Sequence, residues 1–469
     1  MKEIRIRIRI LTIILVLMLA TLVAYTAYNV AVYGNRWLAN GRNVRIKKDD
    51  VIAGKIYDRN NVLLRSSDAS GKRIGLGGEQ LQKALVHVLG DDEGRVANAV
   101  ESFQASYLYG FNTDFGEKAK SFISGEKTRG EDITLTIDSA LQEHAVKAFT
   151  TLPGSQGKNG AIVVMNYRTG EVLTLASLPN FDPFNVSESD ANDPNKTFFN
   201  RATQSLLPPG SIFKIITMAA AIDNDRAVLT RNFICSGKLN VGNNYINDAG
   251  GAVHVNLGIN KALEQSCNSV FAGLSLELGS NKLRKMAENF GFNDNFLFRD
   301  LVLENSRFPN EKLSDFDLAS AGIGQSKILV SPLHMCMMVS AIANDGVIME
   351  PYLLKSVYNP SNGKTRLSQP NTYKLALDAD ICHNIDRAML SVVNNGTGAR
   401  ARAAAMQIAG KTGTAQSELD GKPITYSWFV GYAKDKPYAL CLLVEDGESG
   451  ALAAAPIASQ IFEFLAKQR

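Results

Sequence analysis

Pro208-Pro-Gly-Ser-Ile-Phe-Lys-Ile-Ile-Thr-Met-Ala-Ala-Ala-Ile222 is the stretch from which the rest of the chain can be read. Pro208, Pro209 and Gly210 break whatever precedes, and from Ser211 onward the run is apolar nearly all round, which predicts a buried helix. At spacing i, i+3, Ser211 and Lys214 share one face, a turn apart. A lysine set among Ile, Phe and Met is desolvated, which lowers its pKa and lets it accept a serine proton. The N-terminus of the helix also presents free N–H groups to developing negative charge. Taken alone, the pair reads equally well as a serine N-cap and a snorkelling lysine. The same S-x-x-K spacing recurs at Ser124/Lys127, Ser155/Lys158 and Ser361/Lys364. Those three lie in Gly-containing polar stretches expected to be loops or solvated turns.

Two further motifs occur once each. Ser266-Cys-Asn268 sits between the helical stretches Ile259–Leu263 and Val270–Leu278. A serine hydroxyl can relay a proton, and an asparagine amide can donate to a substrate carbonyl while accepting from a lysine. By itself the motif reads better as a polar turn between helices. Lys411-Thr-Gly-Thr414, preceded by Gly410, suits a strand whose missing side chains let another backbone approach. An extended peptide could lie along such an edge with its carboxylate held by Lys411 and by Thr412 or Thr414. A phosphate loop of the form G-x-x-x-x-G-K-[ST] fails, because Gly410 has no glycine five positions before it.

The order S-x-x-K, S-x-N, K-T-G is the set shared by class A β-lactamases and penicillin-binding proteins. With these motifs the chain resembles the class B penicillin-binding protein transpeptidases with a single N-terminal membrane span. Asn200-Arg-Ala-Thr203, Gly322-Ile-Gly-Gln325, Asn344-Asp-Gly-Val347, Gly396-Thr-Gly398, Trp428-Phe-Val-Gly431 and Ile56-Tyr-Asp-Arg59 are similar to family blocks and follow the family order. Asn61, where glycine is usual, and Cys267 within S-x-N depart from the pattern without removing a catalytic group. The resemblance implies a mixed α+β and α/β fold of the serine β-lactamase-like transpeptidase type. In that fold a central antiparallel sheet is flanked by helices and preceded by a small membrane-proximal domain and one transmembrane helix.

It also implies roles. Ser211 would be the acylated nucleophile and Lys214 its base. Ser266 would pass a proton to the leaving amine, and Asn268 would orient peptide and lysine. Lys411 would set the electrostatics, and Thr412, Gly413 and Thr414 would line the substrate carboxylate. The backbone N–H groups of Ser211 and Thr414 would form the oxyanion hole. The activity implied is D,D-transpeptidation of peptidoglycan stem peptides with release of D-Ala, and β-lactams would be covalent inhibitors. The alternatives are a D,D-carboxypeptidase, a β-lactamase or a β-lactam-binding sensor without turnover. Glu304 is the one nearby candidate for a deacylating carboxylate. No cofactor, metal or nucleic acid is expected. A polytopic glycosyltransferase of the FtsW/RodA type is the partner the resemblance implies.

Composition is that of a folded protein, with 45% apolar and 20% charged residues. Its distribution is uneven. Residues 1–48 hold nine Lys and Arg against one acidic residue, a charge of +8, while the rest carries 41 basic and 45 acidic residues, a charge of −4. Ile10 to Val32 contains no charge. As a helix it would be ~34 Å long, enough for a ~30 Å hydrocarbon core. It has no A-x-A-like cleavage site before Tyr33, so residues 10–32 are expected to stay in lipid. Basic residues flank the span on both sides and leave its orientation open. A cell-wall substrate implies a cytoplasmic N-terminus and an extracytoplasmic catalytic domain.

The expected division is 1–33 (basic tail and anchor), 34–131 (membrane-proximal domain) and 132–469 (transpeptidase domain). A hairpin is expected over Lys55–Leu64, helical structure over Leu76–Leu108 and a helix over Leu135–Phe149 capped near Asp138. Strands are expected within Gly160–Ser177 and near Ser427–Ala433 and Ala439–Val444, with a closing helix over Ala454–Lys467. The strands near both ends suggest one sheet completed by the two termini. Five cysteines without a C-x-x-C pair suggest buried thiols rather than a disulfide framework.

Overall fold

The computed structural model describes residues 2–38, 51–68, 70–111, 123, 127–419 and 421–468. Its centre is a five-stranded antiparallel sheet in the order Ile408–Leu419, Lys422–Ala433, Tyr438–Glu445, Gly160–Asn166, Val172–Leu178. The sheet is thus completed by segments from both sides of a helix-rich middle, as the sequence suggested. Side chains alternate across a strand, and here both faces are covered. Ile162, Val164, Leu440 and Leu442 pack with Leu141, Phe149, Ile457 and Phe462 from the helices Ser139–Thr151 and Ala455–Lys467. Ala161, Val163, Cys441 and Leu443 face the other way, into the core shared with the helices Lys214–Asn224 and Pro332–Ala343. This two-sided burial explains why the inner strands read as continuous apolar runs.

The helix-forming signals act largely where expected. Asp138 caps Ser139–Thr151 by accepting from the Leu141 N–H at 3.0 Å. The expected helix from Leu135 therefore starts later, because Asp132–Leu135 is a strand. The helical stretch expected over Leu76–Leu108 is broken. Glu79–Leu89 ends at Gly90 with φ +98°, and only the short turns Val100–Phe103 and Ala105–Leu108 follow.

A second, six-stranded sheet runs Lys364–Leu367, Leu354–Asn359, Asp132–Leu135, Ile56–Tyr57, Leu63–Ser67, Arg73–Gly75. Ile56–Tyr57 and Leu63–Ser67 make the expected hairpin. Asn61 sits at its turn with φ +63°, a conformation that Asn tolerates better than other side-chain-bearing residues.

The N-terminal helix Lys2–Leu38 contains an apolar stretch, Arg5–Thr26, long enough to cross a membrane and not buried against the rest of the chain. All five cysteines are free and buried.

One contact ties the central sheet to the motif that opened the reading. Trp428 is fully buried, and its indole N–H donates to Pro208 O at 3.0 Å, fixing the turn ahead of Ser211. Trp428→Phe removes that donor and leaves a buried carbonyl unpaired, so a loss of about 1–3 kcal/mol is expected. Thermal unfolding checks it, and an unchanged midpoint would show that the turn is held by other contacts.

Candidate active site

Ser211 lies in a 3-10 turn, Gly210–Phe213, that runs into the α-helix Lys214–Asn224, so the expected helix begins one turn tighter than an α-helix. Residues i and i+3 eclipse in a 3-10 turn, which keeps Ser211 and Lys214 on one side. Gly210 has φ +55°, and a Cβ there would lie 2.5 Å from Thr414 O. Gly413 on the facing strand has the complementary constraint, since its Cβ would come within 2.9 Å of both Ile212 Cγ2 and Pro209 O. Glycine is therefore required on both sides of the contact between the Ser211 turn and the K-T-G strand. That strand, Ile408–Leu419, is an edge of the central sheet.

The three motifs converge. Lys214 is fully buried, and its Nζ donates to Ser266 O at 2.5 Å, Asn268 Oδ1 at 2.6 Å and Ser266 Oγ at 3.2 Å. Lys411, also fully buried, donates to the same Ser266 Oγ at 3.0 Å and to Thr412 O at 2.8 Å. Ser266 has φ +57°, in the left-handed region, between the helices Ile259–Glu264 and Asn268–Asn289. That reversal presents both its carbonyl and its hydroxyl to the lysines. Among the described residues, Ser211 Oγ makes no hydrogen bond with Lys214, whose ammonium has its three donors engaged elsewhere. Catalytic hydrogen bonds are often loose until substrate is bound.

Burial governs the charges. Desolvation lowers the Lys214 pKa to about 7, against the smaller opposing effects of Cys267 and Asp248. Desolvation, aided by repulsion from Lys214, also lowers Lys411 well below its ordinary value. Thr412 Oγ1 donates to Thr397 Oγ1 at 2.8 Å, and Thr414 Oγ1 accepts from Gly450 N–H at 3.2 Å.

The competing S-x-x-K pairs lie elsewhere. Ser155 is in a turn, but it is buried and its hydroxyl donates to Phe149 O at 2.6 Å. Ser361 is exposed in a turn, and Ser124 lies outside the described residues. Glu304 is exposed, on a segment whose backbone bonds to Thr203 O.

Sequence reasoning missed the supports of the site. Asp248 Oδ1 accepts the backbone N–H groups of Asn268 and Ser269, and Asn268 Nδ2 donates to Asn247 O at 2.7 Å. Asp248 lies in a loop far from Asn268 in sequence, with no local signal to mark it. Asp248 also belongs to a group with Cys235, His254 and Cys267 whose ligand atoms lie within 4.8 Å of one another. The four come from separated segments, so no metal-ligand spacing was legible.

Residues 160–463 match the penicillin binding protein transpeptidase domain, which is well over half of the chain. The chain belongs to that family. It is 29% identical to peptidoglycan D,D-transpeptidase PbpA of Mycolicibacterium smegmatis, over 73% of this chain and 74% of that protein. It is 32% identical to stage V sporulation protein D of Bacillus subtilis, over 71% of this chain but 53% of the relative. The transpeptidase fold is shared with penicillin-binding protein A of M. tuberculosis, solved as a ceftriaxone acyl-enzyme complex (TM-score 0.79, 25% identity, 90% of this chain and 100% of that one). It is also shared with the D,D-transpeptidase domain of a peptidoglycan glycosyltransferase from Eggerthella lenta (TM-score 0.75, 30% identity, 89% and 98%). The class B reading, with a mixed fold and one N-terminal apolar helix, therefore stands.

Proposed function

We propose that this penicillin-binding protein is a peptidoglycan D,D-transpeptidase that works through an acyl-enzyme at Ser211. The observation that carries the reading is the single Ser266 hydroxyl contacted by two buried lysines beside the Ser211 turn. Ser211 Oγ attacks the carbonyl of the penultimate D-Ala and gives its proton to neutral Lys214. In that neutral form the amine keeps two donors for Ser266 O and Asn268 Oδ1 and has a lone pair free for a hydroxyl. Ser266 then donates its proton to the departing D-Ala amine and recovers one from the lysines. The same path in reverse deprotonates the amine of a neighbouring stem peptide, which takes the acyl group and forms the cross-link.

Lys411 holds the substrate carboxylate electrostatically, with the hydroxyls of Thr412 and Thr414 beside it and Gly413 leaving room for the peptide. The N–H groups of Ser211 and Thr414 bind the oxyanion. Contact between the Gly210 and Thr414 backbones supports that pairing. β-Lactams enter by the same attack.

Peptidoglycan lies outside the membrane, so residues 1–33 form a cytoplasmic tail and anchor, with the catalytic domain extracytoplasmic. Residues 10–32 would face lipid, in keeping with the unburied apolar stretch Arg5–Thr26. A polytopic glycosyltransferase of the FtsW/RodA type is the partner that this helix and the membrane-proximal region, 34–131, would meet.

Labelling by a fluorescent penicillin should be covalent and absent in Ser211→Ala, whereas Ser155→Ala and Ser361→Ala should still label. Persistent labelling of Ser211→Ala would overturn the nucleophile. Incubation with a pentapeptide and a free D-amino acid should give exchange products by mass spectrometry. Tetrapeptide alone would favour the carboxypeptidase, and no product a sensor. Because Lys214 must be neutral to take the proton, the acylation rate should rise with pH through about 7 and then level off. A rate that is flat, or falls, across the neutral range would contradict the lysine base.

A further inference from the structure

The six-stranded sheet has one face in the core and one in solvent. Ile56, Ile133 and Val357 pair across its middle strands and belong to the core. Their neighbours along each strand point the other way. Tyr57 pairs with Thr134, Thr134 with Ser356, Asp132 with Tyr358, and Tyr358 with Thr365, so these side chains share the outer face across four strands. Together with Asn61 at the hairpin turn they line a cavity of about 360 Å³. The face is open, with Tyr358 41% exposed and Leu367, opposite Ser356 at the rim, 66% exposed. Acyl transfer at Ser211 makes no use of it.

We infer that this face binds the glycan of peptidoglycan, a chain of N-acetylhexosamines. The hydroxyls of Tyr57, Thr134, Ser356, Tyr358 and Thr365 make no hydrogen bond among the described residues. Asp132, the one charged group in the lining, is already engaged. Its Oδ1 accepts the Lys55 N–H at 2.7 Å, and both its oxygens accept from Arg129, at 3.2 and 3.1 Å. The cavity therefore offers free neutral donors and acceptors without a free charge, which suits a polyol rather than a phosphate or an ionic peptide. Tyr57 and Tyr358 stand two strands and two residues apart, about 12 Å on strand and residue spacings. That is close to the repeat of a disaccharide, so each ring can lie under the apolar face of every second sugar. The Thr134 and Ser356 hydroxyls between the rings, and the Asn61 amide beside them, are donors for acetamide carbonyls and ring hydroxyls.

A protein partner fits the pattern less well. Protein interfaces place apolar groups at the centre and polar groups at the rim, whereas here hydroxyls occupy the middle and the rings flank them. An added strand would pair with the edges of the sheet, Lys364–Leu367 or Arg73–Gly75, and not lie on its face. The inference rests on the transpeptidase reading, which supplies a substrate carried on glycan. A glycan held on this face would stay with the enzyme between turnovers while Ser211 works on stem peptides.

The test uses the full chain in detergent, with and without prior penicillin treatment, and glycan strands stripped of their stem peptides by an amidase. Binding is read without turnover, so it stands apart from Ser211 acylation, which penicillin labelling reports on the same samples. Saturable binding is expected, equal with and without penicillin. The Kd should rise roughly tenfold or more in Tyr358→Ala and in Thr365→Lys, with unfolding midpoints and penicillin labelling unchanged. Both positions are exposed, so the variants should fold. The inference is overturned if stripped glycan does not bind, or if both folded variants bind it as the parent does. Glycan displaced by penicillin would place it in the catalytic cleft instead. A concentration-dependent dimer lost in Tyr358→Ala would make the occupant a second copy of the chain, and would overturn the inference equally.

Discussion

Lys214 and Lys411 are both fully buried, and both point their amines at the hydroxyl of Ser266. Two ammonium groups so placed repel one another and have both lost their hydration, so the arrangement is stable only if protons leave readily. That single constraint orders much around it. It calls for the largely apolar, buried helix behind Lys214, and for the left-handed turn at Ser266 that offers a carbonyl and a hydroxyl together. It also calls for an edge strand that delivers Lys411 from the opposite side. The unfavourable electrostatics are confined to the place where proton transfer is useful, as is common for catalytic groups.

The close approach of backbones is the second organising feature. Gly210 and Gly413 face one another across the contact between the Ser211 turn and the K-T-G strand, and neither can carry a side chain without displacing the other element. Trp428, on the next strand, closes the arrangement from below through Pro208. The serine is thus held by backbone geometry more than by its own hydrogen bonds.

Much of this was legible because it is written locally. Apolar runs marked the inner strands, Asp138 marked a helix start, and the three motifs each sat in the local structure they required. What was not legible came from distant parts of the chain. Nothing near Asp248 announces that it caps a helix at Asn268, and nothing near Leu354–Asn359 announces that it pairs with Asp132–Leu135. The helical pattern after Leu76 failed for a local reason, because Gly90 and the polar residues after it outweighed the periodicity. Cys235, Asp248, His254 and Cys267 are likewise scattered in sequence, and only the ribbon register and the helix cap bring them together.

The shared sheet has a practical consequence. Ile133 pairs with Ile56 on one side and Val357 on the other, and is itself fully buried. Asp58 reaches across to accept the Ser139 hydroxyl at 2.7 Å, and Arg366 binds Glu131 at 2.7 Å. Cutting the chain before Asp132 to obtain a soluble enzyme would therefore leave one side of a strand without its ladder and bare the apolar residues beneath it. Such an edge is a template for self-association. Solubility is better sought by removing the apolar helix alone, leaving the strands from Ile56 onward with the sheet they complete.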